Sequence, residues 1–409
     1  MKLIAKVIFI LLIINTYPIN AQWTHSTTNP GGTVSCFASI GANLYAGTLA
    51  HGLYVSTDNG NNWSFVGLQN AYIHGVSAIG TTLFAGDENN GVFRSTNSGL
   101  SWTVVNSGLT YPSIASLAVA GTNLFAGLYG NGVYRSTNNG ATWVSADSGI
   151  GYATVPSFAL IDTVIFAGTW NGVFRSTNNG VSWTAVDSGL TTTVVTSLFV
   201  KGKTLFAATN IGGPTEGHVF RSTNYGEVWT LADSGLTGSE PIAFATNGTD
   251  LFVGTYSDGV FLSTNNGESW IAVDTGLTNK SISSLTISGP NLLAGDFYSN
   301  IVWIRPLSEM ITDVRKESNN FPTRMTLQQN YPNPFNPSTI ISFSIPQKSF
   351  VSLKVYDLIG KEVATIISEE MSEGTYSQRW NVGNLSSGIY FYRLQAGIYS
   401  SAKKLILLK

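Results

Sequence analysis

One phrase, close to L-F-A-G-(x)n-G-V-F-R-S-T-N-x-G-x-x-W-(x)n-D-S-G-L, recurs along most of this chain. Its tryptophans fall at Trp63, Trp102, Trp143, Trp183, Trp229 and Trp270. The glycine closing its first part stands at Gly47, Gly86, Gly127, Gly168, Gly254 and Gly295, with Ala208 in the fifth unit. A period of about 40 residues with four short apolar runs is that of a β-propeller of four-stranded blades. One such sheet cannot bury both faces alone, so it must stack against copies of itself.

The third unit shows the pattern in full. Ser116 to Val119 reads as strand A, Asn123 to Gly127 as B, Val133 to Ser136 as C and Trp143 to Asp147 as D. Gly, Asn and Asp at the breaks supply the positive φ angles of tight turns. Seven B phrases predict seven blades. The seventh lacks its turn and D strand, because Ile301-Val302-Trp303-Ile304 runs straight into Arg305-Pro306. Trp23 lies one period before Trp63, and Gln22-Trp23-Thr24-His25-Ser26 resembles Ser101-Trp102-Thr103-Val104-Val105. The N-terminal strand is therefore expected to complete blade seven and close the ring, which removes an exposed sheet edge. The fold class expected is all-β: a seven-bladed propeller over residues 22–307, then a smaller sandwich.

Charged residues make up 11% of the chain, against roughly 25% in ordinary soluble domains. Residues 22–307 carry 8 Lys+Arg against 15 Asp+Glu, and residues 326–409 carry 8 against 5. A propeller short of positive charge is a poor polyanion binder, which argues against nucleic acid. The single cysteine, Cys36, excludes an internal disulfide and a Cys-based metal cage. Met1-Lys2-Leu3-Ile4-Ala5-Lys6, an apolar run through Ile14, and Asn20-Ala21-Gln22 predict a signal peptide over 1–21. No other segment is apolar and long enough to cross a bilayer as a helix.

The turn phrase S-T-[DN]-x-G-x-x-W resembles the Asp-box (BNR-like) repeat of sialidases and many other propellers. Asp58, Asn97, Asn138, Asn178, Asn224 and Asn265 take its acidic or amide position, and the six tryptophans close it. The expected role is structural. The side chain bonds backbone N–H groups across the turn, Gly takes the left-handed position and Trp packs between sheets. Sialidase chemistry is not expected. Arg94, Arg135, Arg175 and Arg221 share one repeat position on the turn face, whereas that family's site lies on the opposite face. Val55, Leu262 and Trp303 are assigned to the same slot in other units, so it reads as an outer decoration.

Residues 308–325 read as a polar linker and 326–409 as a small antiparallel sandwich. Four phrases run through the latter in order: N-Y-P-N-P-F-N-P-S-T from Asn330, V-Y-D-L-I-G-K-E-V from Val355, S-S-G-I-Y-F-Y-R-L from Ser386, and the terminal K-K-L-I-L-L-K. Together they resemble the C-terminal sorting domain of type IX secretion cargo. That implies the type IX machinery as a partner, a secreted or surface location, and removal of the domain at export.

Catalytic motifs are sparse. Asp147, Asp187, Asp233 and Asp274 belong to the repeated D-S-G-L or D-T-G-L corner and read as turn caps. Asp87, Glu88, Glu216, Asp258 and Asp296 read as acids outside the repeat, from which a glycosidase would have to draw two opposed carboxylates. His51, His74 and His218 show no metal-ligand spacing, and no cofactor or metal is expected.

The B–C and D–A loops share one face and vary between units, while the turn phrases on the other face barely change. Variable loops on a rigid scaffold are where binding usually lives. The candidate binding residues are His51, Asp87, Glu88, Tyr129, Trp170, Glu216, His218, Tyr256, Asp258 and Tyr298. Aromatic rings beside amides and carboxylates suit a glycan or a protein loop. The expected function is non-enzymatic binding of one of these outside the cell. The alternative is an extracellular polysaccharide hydrolase using the loop-face acids.

Overall fold

The computed structural model describes residues 22–210, 217–236, 240–310, 325–371, 374–383, 385–397 and 399–408. The chain divides into two compact units, Met1–Met310 and Ile311–Lys409.

The first unit holds seven four-stranded antiparallel sheets. In blade three the strands are Ile114–Ala120 (A), Asn123–Leu128 (B), Val133–Ser136 (C) and Val144–Ser145 (D), hydrogen-bonded in chain order. Blade seven departs from this order as the sequence predicts. Ile282–Ser288, Asn291–Asp296 and Val302–Pro306 supply A, B and C, and Thr24–His25 pairs outside them as D. The register sets Thr24 against Ile304 and His25 against Trp303. Adjacent A strands touch around the whole ring, Ile282–Ser288 against Val34–Ile40 included.

Each B strand reads as a continuous apolar run because a neighbouring blade covers each of its faces. Leu124, Phe125 and Ala126 are fully buried. The repeated glycine follows from the same packing. A Cβ on Gly127 would stand 2.4 Å from the Val155 carbonyl of the next blade, and one on Gly86 would stand 2.5 Å from Ile114 Cγ2.

Three sets of hydrogen bonds tie blade to blade. The first is at the tryptophans, whose indole N–H donates to a carbonyl in, or one residue past, the D strand of the preceding blade. Trp102 reaches Val66 (3.0 Å), Trp143 Val105 (2.7 Å), Trp183 Ala146 (2.8 Å), Trp229 Val186 (2.7 Å) and Trp270 Ala232 (2.8 Å). Trp23 does the same to Val273 at 2.6 Å, so the closing strand uses the same contact. Trp63, at the seam, is the exception: its buried Nε1 has no hydrogen-bond partner among the described residues. The second set is near the axis, where A-strand hydroxyls reach the start of the next A strand or the residues leading into it: Ser284 Oγ to Val34 O and Ser116 Oγ to Val155 O, both 2.7 Å.

The third set corrects the reading of the arginine slot as decoration. Nη1 of Arg94, Arg135, Arg175 and Arg221 donates to the main-chain carbonyl of Asn139, Asn179, Tyr225 and Asn266, at 3.2, 2.6, 3.2 and 3.1 Å. Each acceptor sits in the next blade's turn. A guanidinium suits this task because it stays charged and presents several donors at once. The register also moves one assignment: Ile304, opposite Leu293, fills this slot in blade seven, and Trp303 lies one residue earlier.

Within a turn, Ser56 Oγ accepts from Gly60 N (2.9 Å) and Asp58 Oδ1 from Asn62 N (2.9 Å). The amide copies differ in a compensating way. Asn97, Asn138, Asn178 and Asn265 donate to a hydroxyl four residues on, whereas Asp58 accepts from the Asn62 amide. That bond leads the contacts that hold the Asp58 carboxyl below its ordinary pKa. Left-handed φ occurs at both Asn59 (58°) and Gly60 (87°), one residue more than the sequence reading placed there.

The second unit is a sandwich of a three-stranded sheet (Thr326–Leu327, Ser338–Ile345, Gly374–Asn381) and a four-stranded one (Glu362–Met371, Ser349–Tyr356, Gly388–Ala396, Tyr399–Leu407). Phe343, Leu353, Tyr392 and Leu405 fill its core. Tyr392 donates to Gln328 O and accepts from Asn330 N, which pins the opening phrase to the sandwich.

Replacing Trp183 with Phe removes an indole donor and leaves the Ala146 carbonyl buried. The expected cost is about 1–3 kcal/mol. The same change at Trp63, which has no such bond to lose, is expected to cost less. Equilibrium urea unfolding of the two variants reads the difference, and equal losses would count against the bonding scheme.

Candidate functional site

In six of the seven blades, blade three with its Leu128 excepted, the last residue of strand B bonds across the loop above it. Thr48, Thr169, Thr209 and Thr255 are fully buried there, and each hydroxyl reaches across its loop, as Thr48 Oγ1 does to Gly52 O at 2.7 Å. Register places Asp87 opposite Ile73 and Asp296 opposite Ile282, as Thr48 stands opposite Val34. These two acids therefore occupy a repeat position, contrary to the expectation from sequence. Both are completely buried. Asp87 accepts from the main-chain N–H of Tyr72 (2.6 Å), Asn89 (2.8 Å) and Asn90 (2.5 Å), and from the Asn90 amide (2.9 Å). Asp296 accepts from Tyr298 N (2.7 Å), Ser299 N (2.8 Å), the Asn279 amide (2.8 Å) and the Trp303 indole (3.2 Å). Their role is to build loops, and neither carboxylate faces solvent.

Two clusters form among the remaining candidates. Across blades two and three, Glu88 accepts from His74 Nε2 (3.0 Å), and the His74 ring meets Tyr129 edge-on at 5.6 Å. The Tyr129 hydroxyl is 3.4 Å from His74 Nδ1, and burial, helped by the Glu88 charge, pushes its pKa up to about 12. It is a held, neutral phenol and a poor nucleophile at neutral pH. The sequence reading considered His74 only as a metal ligand, yet it bridges two of the residues singled out, Glu88 and Tyr129.

Across blades six and seven, Tyr256 meets Phe297 at 5.2 Å and Tyr298 at 6.3 Å. The Tyr256 and Tyr298 hydroxyls bond each other, which raises the Tyr298 pKa above the ordinary phenol range. Tyr298 is 65% exposed, so this cluster offers an open ring face. Asp258 stands on the same loop as Tyr256, its carboxylate within 2.9 Å of Ser257 Oγ.

The others stand apart. Trp170 is 49% exposed and its main chain donates to Thr154 O, beside the exposed Tyr152. His218 is engaged by Asp233 (Nδ1 to Oδ2, 2.8 Å) and packs edge-on against Phe220. His51 Nδ1 meets Leu49 O at 3.0 Å. Glu216 lies outside the described residues. Among the described residues, no group of three or more His, Cys, Asp or Glu is placed to hold a metal ion.

Residues 329–408 match the family described as the secretion system C-terminal sorting domain. This is the tail that takes cargo through the type IX pathway to the cell surface or beyond it, and among the described residues no helix is long and apolar enough to cross a membrane. No curated protein matches the chain. Solved propellers resemble it at low identity. The extracellular domain of the one-component system BT4673 from B. thetaiotaomicron aligns at 17% identity and a TM-score of 0.57, over 78% of this chain and 46% of that one. This chain thus spans less than half of that ectodomain. The GH74 xyloglucanase of Xanthomonas campestris aligns at 15% and 0.57, over 91% and 67%. YCF48 bound to a D1 peptide aligns at 13% and 0.55, over 70% and 95%. At these identities the likeness shows the propeller fold.

Asp87→Ala strands buried main-chain donors and is expected to cost about 2–3 kcal/mol. Asp87→Thr, which restores the residue used at this position in four other blades, is expected to cost less. Thermal unfolding of both variants checks the loop-building role, and an Asp87→Ala variant as stable as the parent would refute it.

Proposed function

We propose that the propeller is a non-enzymatic binding module, delivered outside the cell by its C-terminal domain, that holds a glycan or a protein through its loop face. The observation that carries this reading is the state of the loop-face acids. Asp87 and Asp296 are buried under four donors each, and Glu88 is paired with His74. A glycosidase needs two carboxyl groups facing one substrate at roughly 5–10 Å separation. What this face offers instead is aromatic: Trp170, Tyr298, Tyr111 and Tyr152 are all at least 49% exposed. Rings of this kind stack on sugar faces and anchor protein interfaces.

The resembling propellers carry both kinds of role, since one is a xyloglucanase and another was solved holding a peptide. Scaffold likeness does not choose between them, because function resides in the site and not in the fold. The buried acids favour holding over cleaving.

The test is a screen of the purified chain against a glycan array and a panel of outer-surface proteins, repeated with Trp170→Ala/Tyr298→Ala. Saturable binding that falls at least tenfold in the double variant, with no new reducing ends released from any polysaccharide, is the expected result. Release of reducing ends that survives purification to homogeneity would overturn the reading in favour of a hydrolase.

A further inference from the structure

Blade one breaks the repeat at its outer loop corner. Elsewhere the D–A corner carries an Asp or Asn whose side chain covers the start of strand C: a Cβ on Gly91 would meet Asn106, on Gly132 Asp147, on Gly172 Asp187 and on Gly259 Asp274. In blade one the corner reads Gly67-Leu68-Gln69-Asn70, and no side chain caps Gly52. The main-chain carbonyls of Gly67 and Leu68 approach it instead. The preceding D strand, Ser64–Gly67, is twice as long as the two-residue strands at this position in the other blades, and it carries a bulge opposite Leu53 and Tyr54.

Beside this corner lies a cavity of about 230 Å³ lined by Ala50, His51, Tyr54, Phe65, Gln69 and Asn70. Its wall is strained. Among the described residues, five non-glycine residues outside the turn phrases hold a left-handed φ, and three of them are Ala50 (65°), Leu68 (60°) and Asn70 (64°), in or next to this wall. Such strain persists only where the surroundings impose it, and it concentrates at ligand sites. Bulges next to sites likewise re-aim side chains. Phe65 is particular to this blade: the residues paired at its position are Val104, Ser145, Ala185, Leu231 and Ala272 in the next five. It is 49% exposed and meets Tyr54 edge-on at 5.4 Å.

We infer that this cavity is a subsite for one neutral sugar ring. The inference rests on the glycan arm of the binding reading above and names the place and the ligand class. Neither a carboxylate nor a Lys or Arg lines the cavity, so an ionic ligand finds no counter-charge there. The Phe65 ring supplies a flat apolar surface for the C–H face of a pyranose. Gln69 and Asn70 each offer an amide donor and acceptor to sugar hydroxyls. His51 adds an acceptor: its Nδ1–H is directed at Leu49 O, which leaves Nε2 with a free lone pair in the neutral ring. Size fits one ring better than a chain, since pockets for drug-sized ligands run to roughly 300–1,000 Å³. Gly31 and Gly32 hold the wall from behind, for a Cβ on Gly32 would stand 2.5 Å from His51 Nδ1 and one on Gly31 2.6 Å from the Tyr54 hydroxyl.

Saturation-transfer NMR on the purified chain tests this with methyl glucoside, methyl galactoside, methyl mannoside, N-acetylglucosamine and, as an ionic control, methyl glucuronide. At least one neutral sugar is expected to bind saturably and more tightly than the glucuronide. Phe65→Leu, which keeps apolar bulk but removes the flat face, and Gln69→Ala are each expected to weaken it at least tenfold, with Leu100→Ala, an exposed turn-phrase residue, leaving it unchanged. Unfolding curves confirm that both variants remain folded. A neutral sugar weakened by Trp170→Ala and not by Phe65→Leu would overturn the subsite while sparing the loop-face reading. Failure of every neutral sugar to bind would overturn the subsite alone, since the array and protein screen judges the wider reading separately.

Discussion

The structure depends on the contact between one blade's tryptophan and the preceding blade's outer strand. A four-stranded sheet with apolar residues on both sides has no stable existence alone. The indole fills the gap between two sheets and its N–H satisfies a carbonyl one residue past the D strand that would otherwise be buried without a partner. Trp143, Trp183, Trp229 and Trp270 repeat this bond within 0.1 Å of one another, at 2.7 or 2.8 Å. Trp23 carries it across to the N-terminal strand, so closure is one more copy of the ordinary inter-blade contact and needs no special device. The irregular joint is one blade further on, where the Trp63 indole has no acceptor among the described residues and Thr28 holds its main chain.

Uniform joints restrict where function can sit. The turn face is occupied with self-recognition: the turn serines, the Asp or Asn beside them and the C-strand arginines all engage main chain there. The loop face is bound by no such requirement beyond one residue at the end of six B strands. Thr makes one bond across the loop from that position in four blades, and Asp, with two oxygens and more lone pairs, gathers the donors of the loops in blades two and seven. A carboxylate used this way is unavailable for chemistry, while Glu88 and Asp258 stay partly exposed beside the aromatic side chains of the face.

The sequence made the architecture legible because the repeat is dense. The seven B phrases set the blade count, and Trp23, one period ahead of Trp63, announced the closing strand. Loop chemistry was less legible for a physical reason. Asp87 and Asp296 look unrelated to Thr48 or Thr255 as letters, and only strand register reveals that they share a position. The arginine staples were hidden because their acceptors are main-chain carbonyls in the next blade, which no side-chain pattern records. The blade-one cavity comes from a missing cap and a bulge, features defined by comparison between blades in space.

The central claim is that a glycan or protein is held by the loop face without chemical change. Amide hydrogen exchange of the chain, with and without a saturating mixture of neutral gluco-, galacto- and manno-oligosaccharides, tests its glycan form most directly. The account predicts protection confined to the B–C and D–A loops, around residues 48–52, 67–73, 109–113, 150–154, 169–172, 255–259 and 296–301, with the oligosaccharides recovered intact. Protection centred on the turns at 56–63, 95–102 and 136–143, or oligosaccharides recovered shortened, would contradict it.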